Sequence, residues 1–339
     1  MSDLVLLTGI SGFIAKQVAL ELLGAGYRVR GTVRSAAKAA LVQETLKNAG
    51  GAVDRLEFVE ADLTQDNGWD AAVAGCRFVV HTASPFPARQ SKDRYALVPI
   101  ARGGTLRVVD AASRAGVERI VLTSSVAAIY YGHGAKRGVH YSEADWSNVE
   151  SSDISDYAVS KTEAERAAWK AVAAGGPELA VVNPAFVLGP LLDRETGTSA
   201  ELIRRMLMGR LPAVPDITFG IVDVRDVARA HLQAMTVPDA AGRRFILCGG
   251  SLSIMEIGQA IALAEPSASS RMPKLVLPDF LVRTIAVFAA QARAAVPELG
   301  RRKTLATKAA EQTLGIDFRR PGEAIAAMAR SLKQLGLAR

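Results

Sequence analysis

Six short apolar runs in the first half of the chain, at residues 4–7, 27–33, 56–59, 78–81, 120–123 and 179–183, narrow the possible folds more than any other feature. Between them, stretches 13–23, 36–48, 103–114 and 157–174 are each long enough for about three helical turns or more. Runs that are apolar throughout need cover on both faces of a sheet, and a helix between consecutive strands supplies the crossover that parallel pairing demands. The expected fold is α/β, a doubly wound parallel sheet. Beyond residue 183 the rhythm breaks, because Pro184, Pro190, Pro212 and Pro215 punctuate loops around a helical stretch at 199–208. A strand near 221–224, a helix near 227–235 and a strand near 245–248 suggest a return to the sheet, and 253–339 is mostly helical in pattern. Residues 1–190 and 215–250 are therefore expected to form the larger domain. Residues 191–214 and 251–339 are expected to form a smaller, mostly helical lobe that caps the substrate side.

The first run leads straight into Thr8-Gly9-Ile10-Ser11-Gly12-Phe13-Ile14-Ala15, followed by a helical pattern. Gly9 permits the tight turn, Gly12 lets backbone approach a pyrophosphate, and Ala15 lets helix and strand pack closely. The helix N-terminus is then aimed at negative charge. In such a position, between a first strand and a first helix, this loop points to a dinucleotide rather than to an ordinary turn. The second run ends in Gly31-Thr32-Val33-Arg34-Ser35, with no carboxylate for a ribose 2′-hydroxyl. Arg34 can fork onto a 2′-phosphate and stack on adenine, and Lys38 is a second cation one turn on, so NADP(H) is the expected coenzyme. The alternative for both is a solvated surface cation. Asp62-Leu63, after the third run, would meet the adenine, or Asp62 simply caps its own loop. The small residues of His81-Thr82-Ala83-Ser84-Pro85, after the fourth, leave room for the dinucleotide at the carboxyl ends of the strands.

Tyr157 and Lys161 are four residues apart in a helical stretch and so share one face. A phenol is a poor acid or base at neutral pH, whereas a nearby ammonium favours its anion and brings it towards the working range. Lys161 can also reach ribose hydroxyls. Such pairs are common on exposed helices. What gives this one meaning is Thr123-Ser124-Ser125, about thirty residues earlier at the end of the fifth run, where a hydroxyl faces the same crevice. Either serine can instead satisfy local backbone groups.

Taken in that order, these motifs resemble the extended short-chain dehydrogenases/reductases, specifically the dihydroflavonol 4-reductase-like group with cinnamoyl-CoA reductases and microbial carbonyl reductases. The resemblance extends over 183–190 (Asn-Pro-Ala-Phe-Val-Leu-Gly-Pro), 223–231 and 314–318, nearly the whole chain. It implies a Rossmann fold, Ser125 as the catalytic serine beside Tyr157 and Lys161, and reduction of an aldehyde or ketone by NADPH. By the same resemblance Gly9, Ser11, Gly12, Phe13, Ile14, Thr82, Ala83 and Ser84 hold the dinucleotide. Pro184 and Val187 border the nicotinamide, and Ser199 touches the coenzyme phosphate. Where plant dihydroflavonol reductases bind the flavonoid through an Asn, this chain has Tyr130, which argues against a flavonoid. Phe86, Tyr130, Phe186, Met206 and Phe219, with Ser125, are candidate walls of the substrate pocket.

Rival readings on the same fold are a sugar epimerase or dehydratase, a 3-beta-hydroxysteroid dehydrogenase and a non-catalytic NADP sensor. The retained Tyr157, Lys161 and Ser125 favour an enzyme over the last. Forty-one Lys and Arg against 34 Asp and Glu give a net charge of +7, but the one dense basic cluster, Arg301-Arg302-Lys303, lacks interleaved aromatics and reads as a solvated helix face. No nucleic-acid partner is expected. Two cysteines, Cys76 and Cys248, form no disulfide framework, and the four histidines show no metal-ligand spacing. No metal is expected; His231 reads as a packed core residue and Asp226 as a helix N-cap. The opening residues lack a basic leader and the apolar stretch 275–296 is broken by Asp279, Arg283 and Arg293, so it reads as an amphipathic helix. Those features suit a cytoplasmic protein with no membrane partner, and leave monomer and homodimer both open.

Overall fold

The computed structural model describes residues 3–84, 93–134, 138–173 and 175–338. Along the chain run β1 (Leu4–Thr8), α1 (Phe13–Gly24), β2 (Arg28–Val33), α2 (Ala36–Asn48), β3 (Leu56–Glu60), α3 (Trp69–Val73), β4 (Phe78–His81), α4 (Val98–Arg114), β5 (Arg119–Thr123), β6 (Val139–Tyr141), α5 (Asp156–Val172) and β7 (Glu178–Pro184). There follow β8 (Phe186–Leu188), α6 (Thr198–Leu207), β9 (Ala213–Pro215), β10 (Thr218–Asp223), α7 (Val224–Thr236), β11 (Arg244–Leu247), β12 (Gly250–Ser253) and α8 (Ile254–Ala264). The last are β13 (Leu275–Leu277), α9 (Asp279–Ala286), α10 (Ala290–Ala295), β14 (Lys303–Leu305), α11 (Lys308–Leu314) and α12 (Pro321–Gln334).

All six apolar runs are strands of one parallel sheet, which β11 completes in the order β11-β7-β5-β4-β1-β2-β3. Every residue of β1, β4 and β5 is buried, as strands covered on both faces must be. One core, with Val5, Leu22, Val80, Val182 and Phe245, packs α1, α7 and α11 on one face; the other, with Leu6, Val79, Val108 and Ile120, packs α3, α4 and α5 on the opposite face. The strand order reverses between β1 and β4, where Thr8 pairs with His81 and His81 in turn with Leu122. Sheets of this kind hold ligands in the crevice outside that switch point.

The second lobe has its own core, in which Ile203 and Met206 of α6, Ile257 and Ile261 of α8 and Met328 of α12 meet. Several expectations change here. The strand near 221–224 is β10, and it joins a separate three-stranded sheet, β12-β10-β8, rather than the large one. Stretch 275–296 is not one amphipathic helix: Leu275–Leu277 pairs with β9, and Pro278 starts a new turn into α9. The α7 N-cap is Asp223, which accepts from the Arg225 backbone N–H, while Asp226 sits one turn inside and binds Arg319. Arg301, Arg302 and Lys303 are not a solvated helix face, because each pairs with an acid, Asp153, Asp216 and Glu298 respectively, and Lys303 opens β14.

Candidate active site

The glycine loop is shaped by contacts a side chain would block. Gly9 has φ +66°, and a Cβ there would lie 2.9 Å from that of Ala83. Its N–H donates to Thr32 Oγ1 at 2.8 Å, and the Gly12 N–H donates to the Gly9 carbonyl at 2.9 Å, so the turn is fastened both to β2 and to itself. Thr8 Oγ1 accepts from the Ala83 N–H at 3.1 Å and lies 2.7 Å from His81 Nδ1, tying the same loop to the end of β4. Gly12 is the N-cap of α1 and offers no side-chain cap. The first N–H groups of that helix are thus left for an anion, and the absence of a Cβ lets one come close. These features suit a dinucleotide pyrophosphate.

A cleft of about 550 Å³ opens beside this loop, at the carboxyl ends of the strands. Its lining includes Gly9, Gly12, Phe13 and Ile14 of that loop, Thr82 and Ser84 after β4, Ser125, Tyr157 and Lys161, and Val187 and Ser199. Tyr130, Phe186 and Phe219 form an aromatic wall, in which the last two rings stack at 5.0 Å. Ser11, Ala83 and Pro184 are outside the lining, although Ala83 presses on Gly9 and Pro184 ends β7. Met206 is a correction: it is fully buried in the second core and forms no wall. Its place on the apolar stripe of α6 put it inside the lobe. Phe86 lies outside the described residues.

The expected adenosine end, Arg34, Lys38, Asp62 and Leu63, lies beyond the cleft lining. Arg34 is exposed at the end of β2 and close enough to Asp62 to help hold its carboxyl below the ordinary range; the larger causes are two bonds from Thr64, backbone at 2.8 Å and hydroxyl at 2.7 Å. Lys38 is paired with Glu195 of the loop between β8 and α6. Ser199 Oγ donates to the Val187 carbonyl at 2.6 Å.

Ser125 ends the run after β5 in extended backbone, caps the following turn through the Ala127 N–H at 3.1 Å, and lines the cleft together with Tyr157. Tyr157 and Lys161 are one turn apart on α5, whose own N-cap is Ser155. Burial pushes the Tyr157 phenol above its ordinary value, and the opposing influence is the Ser125 hydroxyl rather than the expected ammonium. Lys161 Nζ instead donates to the Thr123 carbonyl at 3.3 Å, and burial brings its pKa down to about 8. His81 stays neutral, lowered to about 3 by burial and by Lys161. His231 is buried against Thr123 Oγ1 at 2.6 Å, as a packed core residue should be. No cluster of metal ligands occurs among the described residues, and no helix among them is long and apolar enough to cross a membrane.

Sequence reading missed Glu165, one turn beyond Lys161 and fully buried. Its spacing of four from the lysine put it on the same helix face, but nothing local marked that carboxylate as buried.

A family model described as Epimerase, NAD dependent epimerase/dehydratase family, matches residues 5–249. Cinnamoyl-CoA reductase CAD2 of Medicago truncatula is 37% identical over 251 residues, covering 73% of this chain and 76% of the relative. Ketoreductase azaE of Aspergillus niger is 35% identical over 295 residues, 82% of this chain and 87% of its own. The structure of yeast methylglyoxal/isovaleraldehyde reductase Gre2 complexed with NADPH superposes with a TM-score of 0.82 at 26% identity, over 98% of this chain and 99% of that one. With its glycine loop, its Ser-Tyr-Lys group and these relatives, the chain belongs to the NAD dependent epimerase/dehydratase family, on the extended short-chain dehydrogenase/reductase fold.

Proposed function

We propose that the chain is an NADPH-dependent oxidoreductase that reduces the carbonyl of an aldehyde or ketone. The observation that carries this reading is that Ser125, Tyr157 and Lys161 line one cleft beside the glycine loop, with Tyr157 and Lys161 a turn apart on α5 and the Ser125 hydroxyl opposing the rise that burial imposes on the Tyr157 phenol. When bound, NADPH supplies the hydride that the carbonyl carbon accepts. Burial favours the protonated phenol, so at neutral pH Tyr157 Oη carries the proton that a developing alkoxide needs. Ser125 Oγ, in the same cleft lining, orients the carbonyl oxygen. Lys161, charged below pH about 8, binds ribose hydroxyls and favours the tyrosinate once its proton has gone. Tyr130, Phe186 and Phe219 suit an apolar or aromatic group on the carbonyl. In this scheme residues 1–190 and 215–250 hold the coenzyme and supply that aromatic wall, while α6, α8 and α12 of the second lobe cap the substrate side.

Tyr157→Phe tests it. Removing one oxygen deletes the acid without a large cavity, and general acid catalysis is typically worth about a hundred to ten thousand fold. The variant is expected to bind NADPH nearly as well as wild type, by fluorescence, while turnover drops at least roughly a hundredfold. Undiminished turnover removes Tyr157 from the reaction.

A further inference from the structure

The end of β5, the end of β7 and the middle of α5 meet at one carboxylate. Glu165 has no exposed side-chain surface, yet four donors converge on it. Ser124 Oγ donates to Oε2 at 2.5 Å and Asn183 Nδ2 to the same oxygen at 2.9 Å; Arg244 Nε donates to Oε1 at 2.6 Å, with Trp169 Nε1 at 3.4 Å. Asn183 Nδ2 also donates to the Ser125 carbonyl at 3.2 Å, so the carboxylate grips both serines of the strand end, one directly and one through the amide. Arg244 is itself fixed by the carbonyls of Glu143 and Asp145 at 2.8 and 2.7 Å and by the Trp146 ring, 3.9 Å away.

The same carboxylate lies one helical turn from Lys161, and both side chains line a small cavity of about 10 Å³ together with His81, Thr105 and Ser124. Among the described residues, the charged and titratable groups around Lys161 are Tyr157 and Glu165 on its own helix, the phenols of Tyr130 and Tyr131 in the cleft lining, His81 on β4, and Arg244 on β11 behind Glu165. His81 is neutral and Tyr157 is a phenol. Glu165 is therefore the one anion in a buried group that holds two cations, Lys161 and Arg244.

We propose that Glu165 is a positioning residue for the reaction: it fixes the Ser124–Ser125 strand end against α5 and is the counter-charge that keeps the Lys161 ammonium protonated in the cleft. The inference rests on the reading of Lys161 as part of the reductase machinery. A carboxylate that only braced the fold would leave the charge state of Lys161 to its surroundings. One that supplies the counter-charge makes that state depend on Glu165 and, in the opposite sense, on Arg244. Burial brings the lysine down to about 8, and Glu165 is what opposes it.

Two readouts test this. The first is the alkaline limb of kcat/KM for NADPH-dependent carbonyl reduction. The second is competitive acylation of Lys161 across pH in the coenzyme-free protein, read by peptide mass spectrometry, which reports the lysine charge whether or not the chain reduces carbonyls. Glu165→Gln is expected to move both midpoints to lower pH by about one unit or more, the size of a close charge effect. Arg244→Gln, which removes the competing cation, is expected to move them to higher pH. Displacements of opposite sign cannot come from general loosening of the fold. If Glu165→Gln does not fold, Arg244→Lys beside Arg244→Gln decides: the retained charge is expected to leave both midpoints at the wild-type pH, and its loss to raise them. Midpoints that stay at the wild-type pH in whichever of Glu165→Gln and Arg244→Gln folds overturn the proposal, even where turnover falls. A labelling midpoint that moves while no carbonyl compound is reduced would overturn the reductase reading and leave the counter-charge standing.

Discussion

Arg34 stands at the end of β2 with its side chain in solvent and no ion-pair partner within 4.0 Å among the described residues, whereas Lys38 already shares Glu195. Of the two cations expected to meet a 2′-phosphate, Arg34 is thus the one with its fork free, and the strand end offers no acid to a ribose hydroxyl. Replacing it by Ala should raise the KM for NADPH roughly tenfold or more, the size of a charge-assisted hydrogen bond, and leave the KM for NADH little changed. Steady-state kinetics with both coenzymes check this; a variant that keeps the wild-type preference shifts the role to Lys38. The residues legible beforehand share one property, that their meaning is local. Gly9 and Gly12 follow a strand and open a helix, and Tyr157 and Lys161 are a turn apart. Glu165 was not legible, since its partners Ser124, Asn183 and Arg244 come from three other places in the chain. Met206 was misread because a large apolar residue on a helix beside a cleft carries no mark of which side it faces.

At the scale of elements, the β1–α1 turn works only as a glycine turn. Gly9 adopts a left-handed φ, and any Cβ would collide with the Ala83 Cα and Cβ at 3.0 and 2.9 Å, backbone that Thr8 holds in place. Gly9→Ala should therefore cost about 1–3 kcal/mol of stability and weaken coenzyme binding together, measured by thermal melts and fluorescence titration. A variant as stable as wild type with unchanged affinity contradicts this account of the turn. The alternation of strands and helices predicted a parallel sheet covered on both faces, because each parallel crossover needs its helix. It failed for β10 and for residues 275–296. Strands of three to six residues between prolines and turns are too short for their periodicity to say which sheet they join. The α7 cap was misplaced by one turn for a related reason, as Asp223 and Asp226 both suit a helix start and only the backbone decides between them.

In the molecule as a whole, the cleft lies where the large sheet and the second lobe meet, so its polar groups sit among buried cores. Two histidines bear the consequence. Burial holds His81 down to about 3 and His231 down to about 4, while in the unfolded chain each takes a proton near pH 6.5. As pH falls through that window, the unfolded state binds up to two more protons than the folded one, and stability is lost at up to about 1.4 kcal/mol per pH unit for each histidine. Tm should fall steadily from pH 7 towards 4.5, and less steeply in His231→Gln. A flat Tm over that range contradicts the burial of both rings as neutral groups. The central claim, that this assembly reduces carbonyl compounds with NADPH, is tested most directly by incubating the purified protein with NADPH or NADH and a panel of aldehydes, ketones and keto-esters, with UDP-sugars beside them. Absorbance follows coenzyme oxidation and chromatography identifies the product. The account predicts NADPH oxidation matched mole for mole by alcohol, slower with NADH, and no turnover of the sugars. Sugar conversion without net coenzyme oxidation, or no alcohol from any carbonyl compound, would contradict it.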